Sequence, residues 1–291
     1  MKMKMNKEKK YKVISLHPFT ACNMNCPFCY KTKSDKSMEK PEQFWLDLIP
    51  YIGKFTGQIA MGGGEPFMEP NFVKKMGAGT KNNNVLFNIT SNGRLLMGMS
   101  DEELKDVLKD VTMISLSFDD YKVANKKDLS NYLKLVKRIN GLTGCRVGAN
   151  LLINQKMFEK GGRGLIETVN LLFGGGVERV FALFPKNMLT APDILKFKAI
   201  YMLLTMKYKH FYVDDTTKMI IQENNYHNWK KSCHFGKDLI SINELGEIFG
   251  CSFDDGKKEC VMLKLEKPSD LMKLNKIKVC ERFDCPYIAR K

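Results

Sequence analysis

Three cysteines near the start of the chain have a spacing that suits an iron–sulfur site. Cys22, Cys26 and Cys29 are separated by three and then two residues, so one loop can place all three thiolates on one side of a cubane cluster. Three ligands leave the fourth iron open to a substrate, whereas a cluster held by four cysteines only transfers electrons. A bacterial ferredoxin motif would need a fourth cysteine where the chain has Lys33.

Two other interpretations of this triplet remain open. Zinc also accepts thiolates, but a zinc site usually has a second Cys or His pair close by, and residues 30–40 contain neither type. The other alternative is chance spacing. The spacing itself favours an open iron–sulfur site.

The cysteine motif resembles the signature of radical S-adenosylmethionine (radical SAM) enzymes, in which an aromatic residue, here Phe28, precedes the last cysteine. The resemblance implies that Cys22, Cys26 and Cys29 bind a [4Fe–4S] cluster. It implies that the amino and carboxylate groups of SAM chelate the open iron. It also implies that one electron from the cluster splits the sulfonium and releases a 5′-deoxyadenosyl radical.

A glycine-rich turn with a carboxylate follows the second predicted strand. Gly62, Gly63 and Gly64 precede Glu65; glycines let the backbone approach a ligand, and a carboxylate can pair with an ammonium group. Alone, the stretch is a turn without the Gly-Lys-Ser/Thr ending of a phosphate loop. It resembles the Gly-Gly-Glu motif of the family, which implies that Gly63, Gly64 and Glu65 hold the SAM amino group.

Four polar residues at later strand ends resemble positions where the family presents polar groups to SAM. They are Asn92 after the third predicted strand, Ser117 and Asp119 at the end of the fourth, and Asn150 on the fifth. The resemblance implies that Ser117 and Asp119 lie near the ribose, whose hydroxyl groups need donors and acceptors. The alternative is that each residue only caps its strand.

Four further cysteines form a second candidate metal site. Cys233 and Cys251 flank a predicted hairpin, and Cys280 and Cys285 can complete four ligands. The run Cys-x12-Gly-x4-Cys resembles the start of the SPASM and twitch extensions of radical SAM proteins. Because the dense cysteine series of a full SPASM domain is missing, the resemblance implies a twitch-like domain with one auxiliary [4Fe–4S] cluster. Zinc would accept the same thiolates.

Two cysteines remain. Cys145 precedes the fifth predicted strand, away from the strand ends that carry the motifs, and is interpreted as a small buried hydrophobic residue. Cys260 lies within the twitch-like segment. It is inert, replaces Cys280 as a ligand, or donates a hydrogen atom to a substrate radical as in some peptide epimerases.

The elements that would position these residues are six strand–helix repeats. They lie about 25–35 residues apart, which is typical of βα units with parallel strands. A full barrel needs eight such units, so the sequence predicts an α/β fold with a partial (βα)6 barrel and functional loops at the C-terminal ends of its strands. The radical SAM fold has this architecture.

The predicted organisation is one barrel with an extension. Residues 1–10 are predicted to be a flexible tail, 11–206 the barrel, 207–232 a linker without hydrophobic period, and 233–291 a small α+β twitch-like domain with a β-hairpin.

Composition and charge restrict the compartment and the partners. Nine cysteines are too few and too unevenly spread for a secreted disulfide scaffold, and no signal peptide or membrane-spanning run is recognisable. A cytoplasmic protein is therefore predicted. The net charge of +15 is spread without a nucleic-acid-binding motif, which favours a solvated surface or an anionic substrate over nucleic acid.

Two classes of function follow. The first is a radical SAM enzyme that takes electrons from a flavodoxin or ferredoxin and abstracts a hydrogen atom from its substrate. The substrate would be a ribosomally made peptide (oxidised, cross-linked or epimerised), which the basic surface favours, or a small molecule that is dehydrogenated. The second class is an iron–sulfur binding or regulatory protein without turnover. The intact Glu65 argues against it.

Overall fold

The computed structural model describes residues 9–29, 31, 38–183, 191–213, 237–250 and 260–276. Its strands are β1 (Val13–Leu16), β2 (Gln58–Met61), β3 (Leu86–Ser91), β4 (Met113–Phe118), β5 (Arg146–Leu152), β6 (Arg179–Leu183), β7 (Phe211–Val213), β8 (Leu239–Ile242), β9 (Glu247–Phe249) and β10 (Val261–Lys264). Its α-helices are α1 (Glu42–Phe55), α2 (Pro70–Asn82), α3 (Arg94–Gly98), α4 (Asp101–Leu108), α5 (Lys126–Leu142), α6 (Glu159–Gly174) and α7 (Ala191–Lys207). Its 3₁₀ helices are Pro66–Met68, Gln155–Phe158 and Pro268–Lys276.

The described residues form two compact units. The first contains the residues up to Ser91, residues 102–113 and residues 237–276; the second contains residues 92–101 and 114–213, apart from the undescribed 184–190. In the first unit β1 pairs in parallel with β2, and β2 with β3. In the second unit β5 pairs in parallel with β6, and β6 with β7. This confirms the predicted α/β fold class, and it is consistent with a partial (βα)6 barrel.

Each element buries the side chains that its period places on one face. In β1, Ile14 and Leu16 are fully buried, while Val13 and Ser15 are only partly covered. In α1, Trp45, Leu48 and Ile52 are also fully buried and are spaced at helical intervals. This alternation shows that β1 packs one of its faces into the core.

The predicted C-terminal hairpin is present as β8 and β9, which pair antiparallel. β8 also pairs in parallel with β1, so that Val13 lies opposite Leu239 and Leu16 opposite Ile242. The hairpin is thus part of the sheet that carries the first cysteine motif. The predicted domain boundaries did not indicate that the hairpin and β1 are neighbours.

The stretch predicted to be a linker contains a strand where the structure describes it. β7 pairs in parallel with β6, and its Phe211 is buried. Three residues are too few to show a strand period, which is why the sequence did not reveal it. Among the described helices, none combines the length and the apolar character needed to cross a membrane.

Candidate functional site

The loop between β1 and α1 carries Cys22, Cys26 and Cys29. The first two are half-buried and the third is exposed. The N–H of Cys29 donates to the carbonyl of Cys26 at 3.1 Å, and the N–H of Met24 donates to Cys22 Sγ at 3.4 Å. The second of these is a bond from an N–H to sulfur, a type that stabilises thiolates and tunes iron–sulfur sites.

The donor chemistry of this loop fits a cluster. Over the described residues, no three His, Cys, Asp or Glu side chains converge closely enough to hold a single metal ion. A cubane does not require such convergence, because each thiolate binds a different iron. Three cysteines on one short loop therefore match the ligand set that the spacing predicts.

The glycine turn after β2 is hydrogen-bonded to the start of the cysteine loop. The N–H of Gly64 donates to the carbonyl of Phe19, and the N–H of Glu65 donates to the carbonyl of Ala21, both at 2.8 Å. These bonds continue the parallel pairing of β1 and β2 beyond the strand ends. They fix Glu65 beside the loop that holds the cysteines.

Gly63 and Gly64 are needed for this close approach. Gly63 has a φ of +113°, which side-chain-bearing residues rarely adopt. A Cβ at Gly64 would clash with the backbone carbonyl of Ala21. The close packing of the turn against the cysteine loop thus explains both glycines, in addition to the predicted approach to a ligand.

Glu65 is a buried and oriented carboxylate, with 2% of its surface exposed. Its Oε1 accepts hydrogen bonds from Ser91 Oγ at 2.7 Å and from the N–H of Phe67 at 3.2 Å. Both donors are neutral groups, and they fix the orientation of the carboxylate. A buried carboxylate held in this way suits an ammonium ligand.

Ser91 was not among the predicted site residues. It ends β3, directly before the Asn92-Gly93 turn, and lies 26 residues from Glu65 in sequence. Its hydroxyl was the available signal, but a serine at a strand end is common and no motif spacing connects it to Glu65.

In the second unit, Asn92 and Asp119 make the contacts of turn-capping residues. Asn92 Oδ1 accepts from the N–H of Arg94 at 2.9 Å, an Asx turn. Asp119 accepts from the N–H of Tyr121 at 3.0 Å and forms a buried ion pair with Lys122 at 2.5 Å. These contacts support the capping alternative for both residues.

Ser117 and Asn150 lie half-buried on β4 and β5. The neighbours of Ser117 along the strand, Leu116 and Phe118, are buried, so its side chain lies on the opposite face of β4. Asn150 is in register with Phe181 of β6. Both residues therefore occupy strand positions from which a polar side chain can serve a ligand, and their role stays a prediction.

The auxiliary-site cysteines Cys233, Cys251, Cys280 and Cys285 lie outside the described residues. Cys260 is described, directly before β10, and is 6% exposed. A hydrogen-atom donor must reach its substrate, so this burial favours the inert interpretation of Cys260.

Cys145 is expected to resist alkylation in the folded protein. It is 4% exposed, and burial raises the pKa of its thiol to about 12. Since only the thiolate reacts, the thiol stays protonated and unreactive below that pH. At pH 8, iodoacetamide labelling followed by mass spectrometry should modify Cys145 at least about a hundredfold more slowly than Cys29 in the iron-free protein. Equal rates before unfolding would contradict this, and equal rates after unfolding in urea provide the control.

Comparison with known proteins finds a family model that matches the region containing these motifs. Residues 16–160 match the family model described as the Radical SAM superfamily. The matched region contains the three cysteines, the glycine turn and the four polar strand-end residues. No curated protein sequence matches the chain.

Solved structures share the fold. Streptococcus suis SuiB bound to the precursor peptide SuiA superposes with a TM-score of 0.67 at 16% identity, over 91% of this chain and 65% of SuiB. SuiB bound to S-adenosylmethionine has a TM-score of 0.66 at 15% identity, over 86% of this chain and 62% of SuiB. Native anSMEcpe with bound AdoMet and the Cp18Cys peptide has a TM-score of 0.59 at 14% identity, over 91% of this chain and 79% of anSMEcpe. The chain thus spans less than two thirds of SuiB, and at these identities the similarity is one of fold.

Proposed function

We propose that the chain is a radical SAM enzyme that cleaves S-adenosylmethionine reductively and abstracts a hydrogen atom from a ribosomally made peptide. One observation carries the proposal. Glu65, a buried carboxylate oriented by Ser91, is hydrogen-bonded through its backbone to the loop that carries the three cysteines. An ammonium-binding group and a three-thiol loop at one strand edge are the two parts needed to hold SAM against an open iron.

The roles of the residues follow from their contacts. Cys22, Cys26 and Cys29 would each bind one iron of a [4Fe–4S] cluster, and Glu65 would bind the SAM ammonium group. When bound, the cluster and SAM supply a 5′-deoxyadenosyl radical after one-electron reduction. Burial of Glu65 excludes water from its carboxylate, which strengthens its attraction for a cation. Ser117 and Asn150 are proposed as further polar contacts to SAM.

A peptide is the proposed substrate class. SuiB is seen with a precursor peptide and anSMEcpe with a peptide, and the net charge of +15 would attract an acidic peptide. Oxidation, cross-linking and epimerisation are the outcomes within this proposal, and dehydrogenation of a small molecule is the alternative. A flavodoxin or ferredoxin is the proposed electron donor. Cys233, Cys251, Cys280 and Cys285 are the proposed ligands of one auxiliary [4Fe–4S] cluster.

The direct test is SAM cleavage by the anaerobically reconstituted protein. With dithionite and SAM, the protein should release 5′-deoxyadenosine, measured by liquid chromatography and mass spectrometry. A protein that holds its cluster but releases none would instead belong to the non-catalytic class. Iron analysis separates the cluster numbers: about eight irons per chain indicate two clusters and about four indicate one, while stoichiometric zinc would contradict the auxiliary cluster.

Ser91→Ala is expected to weaken SAM binding about tenfold, because a hydrogen bond to a charged group contributes roughly 1.5–3 kcal/mol. Isothermal titration of the cluster-loaded protein with SAM measures the effect. Ser91→Thr keeps the hydroxyl and should bind like the wild type. Equal affinity of the alanine variant and the wild type would show that the Ser91–Glu65 bond does not orient the carboxylate for SAM.

A further inference from the structure

The far end of the cysteine loop is held by an ion pair whose lysine is buried and whose glutamate is partly buried. Lys31 follows Cys29 by two residues, and its side chain is only 3% exposed. Its Nζ donates to Glu244 Oε2 at 3.1 Å. Lysine is almost never buried to this degree unless it is paired, because an isolated buried charge loses its hydration.

Glu244 lies in a turn with a defined shape. It is part of the turn between β8 and β9, where Asn243 Oδ1 accepts from the N–H of Leu245 at 3.1 Å and from the N–H of Glu247 at 2.9 Å. Gly246 completes the turn with a φ of +78°. Because β8 pairs with β1 along its length, the turn lies beside the strand end from which the cysteine loop starts.

The cysteine loop therefore has an anchor at each end. Its start is bound to the backbone of Gly64 and Glu65, and its end is bound through Lys31 to Glu244. Between these anchors the loop places three thiolates, and a cluster requires all three to be positioned together. The second anchor belongs to a hairpin more than 200 residues further along the chain, since the pair spans 213 residues.

We propose that Glu244 is a positioning residue for the cluster at Cys22, Cys26 and Cys29. Through Lys31, the β8–β9 turn holds the end of the cysteine loop in the shape that retains the cluster. The C-terminal hairpin is then a component of the first cluster site, in addition to any role in an auxiliary site. This inference rests on the proposed cluster, but not on SAM cleavage or on the substrate.

The experiment measures cluster retention, independently of activity. Iron release to a chelator is followed by absorbance in the anaerobically reconstituted full chain. Glu244→Gln and Lys31→Met should each release the iron of the first cluster about ten- to a hundredfold faster than the wild type, the range typical for groups that orient metal ligands. The double variant should be no faster than the faster single variant, because both changes remove one contact.

A matched ion pair in the same unit provides the control. Lys75 and Glu42 lie 2.6 Å apart, but their side chains are 56% and 34% exposed, and exposed pairs contribute little to stability. Glu42→Gln should release iron at the wild-type rate. Lys31→Arg keeps a cation within reach of Glu244 and should restore slow release, a rescue that a general packing role would not produce.

One further measurement and one further variant distinguish a folding defect from a loss of cluster positioning. The unfolding midpoint of the iron-free protein shows whether a variant still folds, and Glu244→Asp, which keeps the charge but shortens its reach, should fold and release iron at an intermediate rate. Wild-type release rates in Glu244→Gln and Lys31→Met would overturn the inference. Failure of the wild-type protein itself to bind a cluster would overturn the proposed function instead.

Discussion

Replacement of Cys22, Cys26 or Cys29 by serine is expected to abolish the release of 5′-deoxyadenosine. Each thiolate would bind a separate iron. The loss of one thiolate therefore removes a cluster ligand, and the rest of the loop cannot replace it. Product formation from SAM under anaerobic reducing conditions should fall by at least about a thousandfold, the scale typical of essential catalytic groups. The triple variant should also lose about four irons per chain.

Cys145→Ser provides the matched control, because this buried thiol lies outside the cysteine loop. It should retain its iron and its SAM cleavage. Wild-type product formation by a serine variant at position 22, 26 or 29 would contradict the assignment of that cysteine as a ligand. Loss of about eight irons in the triple variant would mean that the two proposed clusters do not assemble independently.

The second large effect is expected at Glu65. Glu65→Gln keeps the shape of the side chain but removes its charge, and charge-assisted hydrogen bonds are about twice as strong as neutral ones. The dissociation constant for SAM should rise about ten- to a hundredfold, while the iron content stays at the wild-type level. Calorimetric titration with SAM and iron analysis on the same preparation measure both quantities.

Glu69→Gln is the control for this prediction. Glu69 is a half-buried glutamate four residues further on, and its side chain makes no capping hydrogen bond to α2. Its replacement should leave SAM binding unchanged. A Glu65→Gln variant that binds SAM as tightly as the wild type would show that the carboxylate does not pair with the ammonium group.

The fold was largely predictable because strand and helix periods are local properties of the sequence. The six strand–helix repeats expected from those periods are present between residues 13 and 207, whereas the short helix α3 was not predicted. The pairing of β8 with β1 was not predicted, because it joins strands that lie 226 residues apart. The contact between Lys12 and Asp238 spans the same distance along the chain. Which distant strands become neighbours is decided by tertiary packing, and no local pattern records it.

The residues of the candidate site could be predicted where a characteristic sequence spacing identifies them. The cysteine triplet and the glycine turn have such spacing. Ser91 and the Lys31–Glu244 pair do not, since their contacts join common residue types over 26 and 213 positions. The ion pair between Asp119 and Lys122 was not predicted either, and the role of Asp119 toward a ligand stays a prediction.

The central claim is that one iron of the cluster at the cysteine loop is open and binds SAM. Electron paramagnetic resonance of the anaerobically reduced protein, recorded with and without SAM, tests it most directly. To isolate the first cluster, the spectra are also recorded on a variant with Cys280 and Cys285 replaced by serine. Addition of SAM is expected to change the g-values of the reduced cluster in both proteins, and the Glu65→Gln variant should need a higher SAM concentration for the same change. A spectrum that SAM leaves unaltered, in protein that contains the reduced cluster, would contradict the account.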